Sequence, residues 1–348
     1  MGMAAANPCR KRHTPTDGNA SMPLPSQLKT GDVLLTRGTG HLSRAICLLD
    51  GSDISHALIA VGPDTVAECV GEGLRTITYA QALDEHDLVV GRTLTRPADM
   101  APVIEGAHRY LGSRHAYAHQ QIVLLAVLAV TRRIPLPLGG KRMVRAVLDQ
   151  AAGVLNTMAE RGQQPMICSE FVYRCHAEAR PTPPYALRLQ GEPAARAEGR
   201  TLLDWAEAHP ALPRVPLTAP AALGAYDHAG VEAALAPVLS AYHAAVGKAN
   251  GLPAAQRLPG VGALADPSDE ELLASMTAFG TALHQATDAD HAERLTPHQA
   301  LTAIRTTEAE PNFVTPGDLL HSPSLTEKYR APIGRPTAAV ASGRPDQR

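Results

Sequence analysis

The apolar residues of this chain change their spacing part-way along, and that change limits the fold more than any other feature. Between Gly31 and Leu94 most of them come in short runs closed by glycine, proline or aspartate. Such runs predict strands over Gly31 to Gly38 (GDVLLTRG) and Leu88 to Leu94, and a hairpin in which ISHALIAV and TVAECV flank Gly62, Pro63 and Asp64. Within this part, Leu42 to Asp50 alone repeats its apolar residues at helical spacing. From Val103 onward helical spacing takes over. It predicts helices over Val103 to Leu111 and Gln120 to Arg133, and an amphipathic one in which Val144, Val147, Leu148, Ala151, Leu155 and Met158 share a stripe. After a loop containing Pro165, a further helix runs from about Cys168 to Ala179. The expected class is α+β.

The ends and the middle read differently. Residues 1 to 26 carry Pro, Gly, Asn and Ser without apolar periodicity and are expected to be a disordered tail, as are residues 329 to 348. The Pro-rich break from Arg180 to Pro184 separates a first unit, residues 27 to 185, from a mostly helical extension, residues 186 to 328. Two capping boxes mark helix starts in that extension: Ser268 with Glu271, and Thr296 with Pro297 and Gln299.

Composition removes several classes of function. A net charge of −2 with both signs mixed along the chain leaves no electrostatic footprint for nucleic acid, and 3% aromatics leaves few stacking platforms. The longest apolar run, Ile122 to Val130, falls well short of the ~20 residues that span a bilayer, so no transmembrane segment is expected. The opening MGMAAANPCRKRHTPTDGNAS has no apolar core of a secretory signal, and Ala6 breaks the myristoylation pattern begun by Gly2. Five cysteines, odd in number and scattered, fit a reducing compartment, and the expected location is cytoplasmic. Oligomeric state is left open.

One cysteine is placed for chemistry. Cys168, in MICSEFVYRCH, opens an apolar-striped helix just after Pro165. A helix N-terminus presents unpaired N–H groups and a positive dipole end, which favour a thiolate. An imidazole that takes the thiol proton and later returns it to a leaving group completes a Cys/His pair, and His56, near the start of a strand, is the candidate. Glu68, twelve positions on, is the candidate to hold the far ring nitrogen. Strict alternation around a two-residue turn would put Glu68 on the opposite face from His56, so the assignment requires a bulge or longer loop near Gly62. The safest oxyanion donor is the backbone N–H of Cys168. Against this stand plainer readings: a buried helical cysteine often packs as a small hydrophobe, and a hairpin carboxylate can simply be solvated. Cys9, Cys47, Cys69 and Cys175 read as structural or incidental. Cys168, Cys175 and His176 lack zinc-site spacing, so neither metal nor cofactor is expected.

At these residues the chain resembles the permuted NlpC-type papain-like proteins of the YiiX and YaeF kind. The pattern is GDVLL, a helix with Ser43 and Ile46, SHALIAVGPDTVAE, and then ICSEFV. The resemblance covers about residues 28 to 185. It implies a circularly permuted papain-like fold, with a small antiparallel sheet packed on the Cys-bearing helix. It also implies that Cys168, His56 and Glu68 are the catalytic residues. The related lecithin retinol acyltransferase group has a second His where this chain has Glu68, and Cys-Glu-His-Phe-Val where this chain has Cys168 to Val172; Glu68 favours the YiiX-like side. Tyr117 stands where many members show Gly-x-x-Tyr-Asp, although Ala118 follows it here, and the role the resemblance implies is lining the substrate site or assisting the oxyanion hole. The activity implied is acyl transfer from an amide, peptide or acyl-ester substrate through an acyl-enzyme. Water as acceptor gives an amidase, peptidase or thioesterase. Two alternatives stay open: a lipid-directed acyltransferase or phospholipase using the Ile122 to Val130 helix for its acyl chain, and a non-catalytic binding module.

Overall fold

The structure is a computed structural model that describes residues 28–70, 73–84, 86–112, 117–119, 121–136, 139–179, 185–189, 201–209, 228–249, 266–287, 295–311 and 313–333. The expected tail over residues 1 to 26, the Arg180 to Pro184 break and residues 334–348 lie outside the described residues.

The first part of the chain builds β1 (Val33–Gly38), α1 (His41–Asp50), β2 (His56–Gly62), β3 (Thr65–Val70), β4 (Gly73–Thr78), α2 (Tyr79–Leu83) and β5 (His86–Leu94). Next come α3 (Ala101–Gly112), β6 (Tyr117–His119), α4 (Gln121–Thr131), α5 (Gly140–Glu160), β7 (Gln164–Met166) and α6 (Cys168–Ala177). The extension adds α7 (Leu202–Glu207), α8 (His228–Ala249), α9 (Asp269–Thr287), α10 (Pro297–Ala309), α11 (Pro316–His321) and β8 (Leu325–Pro332). The fold is mixed α+β: one antiparallel sheet in the order β4-β3-β2-β1-β5-β8, a short parallel β6-β7 pair, and helices.

Alternation along the strands gives the sheet two unequal faces. Leu34, Leu58, Ala60, Val66 and Val89 pack with Tyr79, Ala82 and Leu83 of α2 in a small cluster. Val33, Leu35, Ala57, Ile59, Ala67, Cys69 and Val90 belong to the main core, where α6 lies on β2 and β3. The run Ile122 to Val130 is apolar all round and accordingly buried all round, packed among α1, α5, α7 and α10. Each large aliphatic side chain buried there contributes about 1.5–3 kcal/mol relative to exposure.

The extension continues this same core. Leu203, Leu273, Phe279, Leu301 and Ile304 join the cluster that holds Cys168, with α5 packed on α9. Both expected capping boxes close: Glu271 N–H donates to Ser268 Oγ (3.2 Å) and Ser268 N–H to Glu271 Oε2 (2.9 Å), and Thr296 and Gln299 do the same. One boundary needs correction. Residues 329 to 332, expected in a disordered tail, are the end of β8, which pairs with β5 from Leu94↔Leu325 to Leu88↔Pro332. The sequence of β8, LTEKYRAP, is that of an edge strand whose outward residues are polar, so it carries no apolar signal. Its anchors are chemical: Lys328 Nζ reaches buried Asp32 at 3.1 Å, Tyr329 Oη meets Tyr79 Oη at 3.1 Å, and the bare Gly91 leaves room for the Tyr329 ring.

Candidate active site

His56 opens β2 opposite Thr36 of β1. Between β2 and β3 the turn is tight, with Gly62 facing Thr65, and by alternation alone it would turn Glu68 away from His56. The register then slips between Ala60 and Gly62, so Val61 is an extra residue; Ala60 faces Val66 and Ile59 faces Ala67. That bulge returns Glu68 to the face of His56, as the sequence required. His56 Nε2 and Glu68 Oε2 are 2.9 Å apart, and both residues are 4% exposed. Glu68 Oε1 accepts from Arg75 Nε at 2.9 Å, the two residues facing each other across the β3-β4 hairpin.

Cys168 is the first residue of α6, after β7 and Ile167. Its N–H is therefore one of the orphan donors of the helix start. Glu170 accepts from Ile167 N–H at 3.3 Å and pairs with Arg174 at 2.7 Å. One turn apart on α6, these two face away from Cys168, Val172 and Cys175. A groove of about 200 Å³ lined by Ile167, Glu170, Arg174 and Phe313 lies on that far side. The sulfur of Cys168 lies near enough to the His56 ring to act on it. With Nε2 held by Glu68, Nδ1 is the nitrogen able to take the thiol proton.

The electrostatics follow from that chain of contacts. Burial pulls the His56 pKa down, but the charge and hydrogen bond of the Cys168 sulfur, together with Glu68, outweigh it and raise it to about 10. Burial likewise pushes Glu68 up, and the bonds and charges of His56 and Arg75 bring it down to about 2. The arrangement thus favours an imidazolium between two anions. Neighbouring candidates behave otherwise. Cys69, whose thiol donates to the Met166 carbonyl at 3.7 Å, is pushed well up by burial and by the Cys168 charge, and burial also raises Cys175. His176 donates from Nδ1 to the Val172 carbonyl at 2.9 Å, and burial lowers it to about 4, so it stays neutral. Among the described residues no group of three or more His, Cys, Asp or Glu is arranged to hold a metal ion.

The structure therefore brings Cys168, His56 and Glu68 together. Tyr117 pairs through its backbone with Gln164, four residues before Cys168, and its side chain lies outside the description. Two residues at the site carry no expectation from sequence. Arg75 was recoverable in principle, since pairing Val70 with Gly73 sets a register that puts Arg75 opposite Glu68. His86, whose ring lies 6.2 Å from that of His56 at 18°, gives no pattern signal because a bulge places it. The thiol itself is fully buried, so any substrate must displace what covers it.

The chain is 27% identical over 159 residues to the probable lipoprotein peptidase YaeF of Escherichia coli (strain K12), a match covering 44% of this chain and 56% of that protein. The match supports a YaeF-like relationship; the chain spans only about half the length of that relative. No family model matches, and no solved structure matches. No described helix is long and apolar enough to cross a membrane.

Proposed function

We propose that this chain is a cysteine-dependent hydrolase with a circularly permuted papain-like catalytic unit, acting on amide, peptide or acyl-ester bonds. The observation that carries the reading is the buried His56–Glu68 pair, backed by Arg75 and lying near enough to the Cys168 sulfur for its charge to act on His56. His56 Nδ1 takes the thiol proton, and the sulfur attacks the substrate carbonyl carbon. The oxyanion rests near the Cys168 N–H, and the imidazolium gives its proton to the departing amine or alcohol. Water, deprotonated by the same imidazole, then attacks the thioester and releases the acid and the thiol. Glu68 holds the ring tautomer and offsets the imidazolium charge throughout. The YaeF likeness supports a peptide substrate first. Complete burial of Ile122 to Val130 leaves that helix no open face for an acyl chain, which weighs against the lipid-directed alternative.

The test joins labelling to turnover. Iodoacetamide should modify Cys168 with a pH-dependent rate, and peptide and ester panels should show turnover that Cys168→Ala abolishes while the melting temperature holds. His56→Ala should lose about as much as Cys168→Ala, and the double variant no more than either, because the two act as a unit. Turnover near wild type in Cys168→Ala would sink the proposal and leave the binding-module reading.

A further inference from the structure

The geometry points to His86 as a positioning residue for His56: a β-bulge carries it onto the His56 side of the sheet, where its ring lies over the imidazole and favours the charged form. This deepens the proposed function and rests on it.

The placement is built, not incidental. In the β1-β5 pairing Thr36 faces Val89 and Arg37 faces Leu88, but Gly38 faces His86, so Asp87 is an extra residue. Leu88 points into the main core and Val89 into the α2 cluster. Without the bulge His86 would share the direction of Leu88. With it, His86 takes the direction of Val89 and Thr36, the face that also carries His56 and Glu68. The bulge is pinned on both sides, since Arg37 Nε donates to the Asp87 carboxylate at 2.6 Å and Ile333 N–H donates to its carbonyl at 3.0 Å. His86 is oriented in turn by its Nδ1–H, which donates to the Asp84 carbonyl at 2.7 Å. Two separate bulges, at Val61 and Asp87, thus aim two side chains at one imidazole.

The rings are 6.2 Å apart between centroids and 18° from parallel, within the range of offset stacking. An imidazolium facing a neutral aromatic ring is favoured by the ring's electron-rich face. Among the described residues, the ionisable groups shown to act on His56 are Cys168 and Glu68, with Arg75 behind Glu68 and Cys69 near both Cys168 and Glu68. The first two hold the charge by direct contact. His86 supplies a cover that cannot be charged without opposing it.

The full chain carrying His86→Ala, His86→Phe or His86→Asn tests this through the pH dependence of Cys168 alkylation by iodoacetamide, with His56→Ala identifying the upper step. The upper step should fall by about half to one unit in His86→Ala. It should return toward wild type in His86→Phe, which restores a ring, and fall in His86→Asn, which keeps a donor for Asp84 without one. The lower step, thiolate formation beside an imidazolium, should stay in place. If His86→Ala fails to fold, the Asn and Phe variants decide. An upper step at the wild-type position in His86→Asn would overturn the inference while leaving the Cys168 and His56 pair standing. A wild-type profile with no step sensitive to His56→Ala would overturn the pair, and this inference with it.

Discussion

His56 and Glu68 meet at 2.9 Å with both side chains 5% exposed, whereas Lys141 and Asp269 meet at 2.6 Å with side chains 36% and 47% exposed. The first pair stands for the sheet and the second for the seam between α5 and α9. At that seam Arg145 joins Glu271 in the open, and Arg305 of α10 forks similarly between Asp204 and Glu207 of α7. Similar distances thus hide unlike energetics. Exposed pairs gain little because water screens them and two long side chains must be held still. A buried pair costs several kcal/mol in desolvation, and apolar residues of the same volume would often serve stability as well. Charge retained inside the sheet is therefore not explained by the needs of folding alone.

Glu68→Gln tests that contrast most severely. It keeps a hydrogen-bond acceptor but removes the charge, so turnover should fall by about tenfold or more with KM changed much less. The stability profile should change as well. Glu68 sits at about 2 in the folded protein, below its unfolded value, so its contribution is complete above ~4.3 and lost as pH falls toward 2. His56 is held up at about 10, so its contribution is complete below ~6.5 and lost as pH rises through 10. Melting temperatures across pH should show Glu68→Gln losing the acid limb and moving the alkaline limb down. Unchanged turnover and unchanged limbs would remove Glu68 from the site.

Arg75→Met should act in the same direction but less. Its guanidinium is half exposed, so water replaces much of what is lost, and a two- to tenfold fall in turnover is roughly what a screened charge-assisted bond supports. A fall as large as that of Glu68→Gln would mean that the carboxylate depends on Arg75 for its position. Smallest of all should be Lys141→Met. Stability by urea titration should stay within about 0.5 kcal/mol, with turnover unchanged. A loss well above that would show that the seam pairs are not the passive partners in this comparison.

The legible parts of this chain are those in which alternation and period report on burial. Leu34, Leu58 and Val66 on one face, and Leu35, Ile59 and Ala67 on the other, mark strands whose neighbours could be guessed. Alternation even exposed its own conflict, since Glu68 could reach His56 only through a bulge, and Val61 provides it. What stayed hidden had the opposite character. β8 lies at an edge and is mostly polar outward, so nothing in LTEKYRAP marks it as paired. β6 and β7, three residues each, are too short to carry a period. His86 depends on the Asp87 bulge, and no local residue type announces that extra residue. The helix starts at Ser268 and Thr296 were readable because a capping box is a local bond between residues three apart.

The edge position of β8 also has a consequence in time. Ribosomes release a chain from its N-terminus at ~5–20 residues per second, so domains tend to form in that order. Here the sheet that carries His56 waits for its sixth strand until Pro332 has emerged, long after Cys168. Arg92 then gathers the carbonyls of Leu319, Leu320, Ser322 and Leu325 beneath that strand, and Ser169 bonds the Val314 carbonyl beside the thiol. During synthesis a nascent chain therefore carries Cys168 without the partners that later enclose it. Pairings of such long range are slow to close. The surroundings of Cys168 are thus drawn from parts of the described chain far apart in sequence, and they close only once the Val314 segment and β8 are in place.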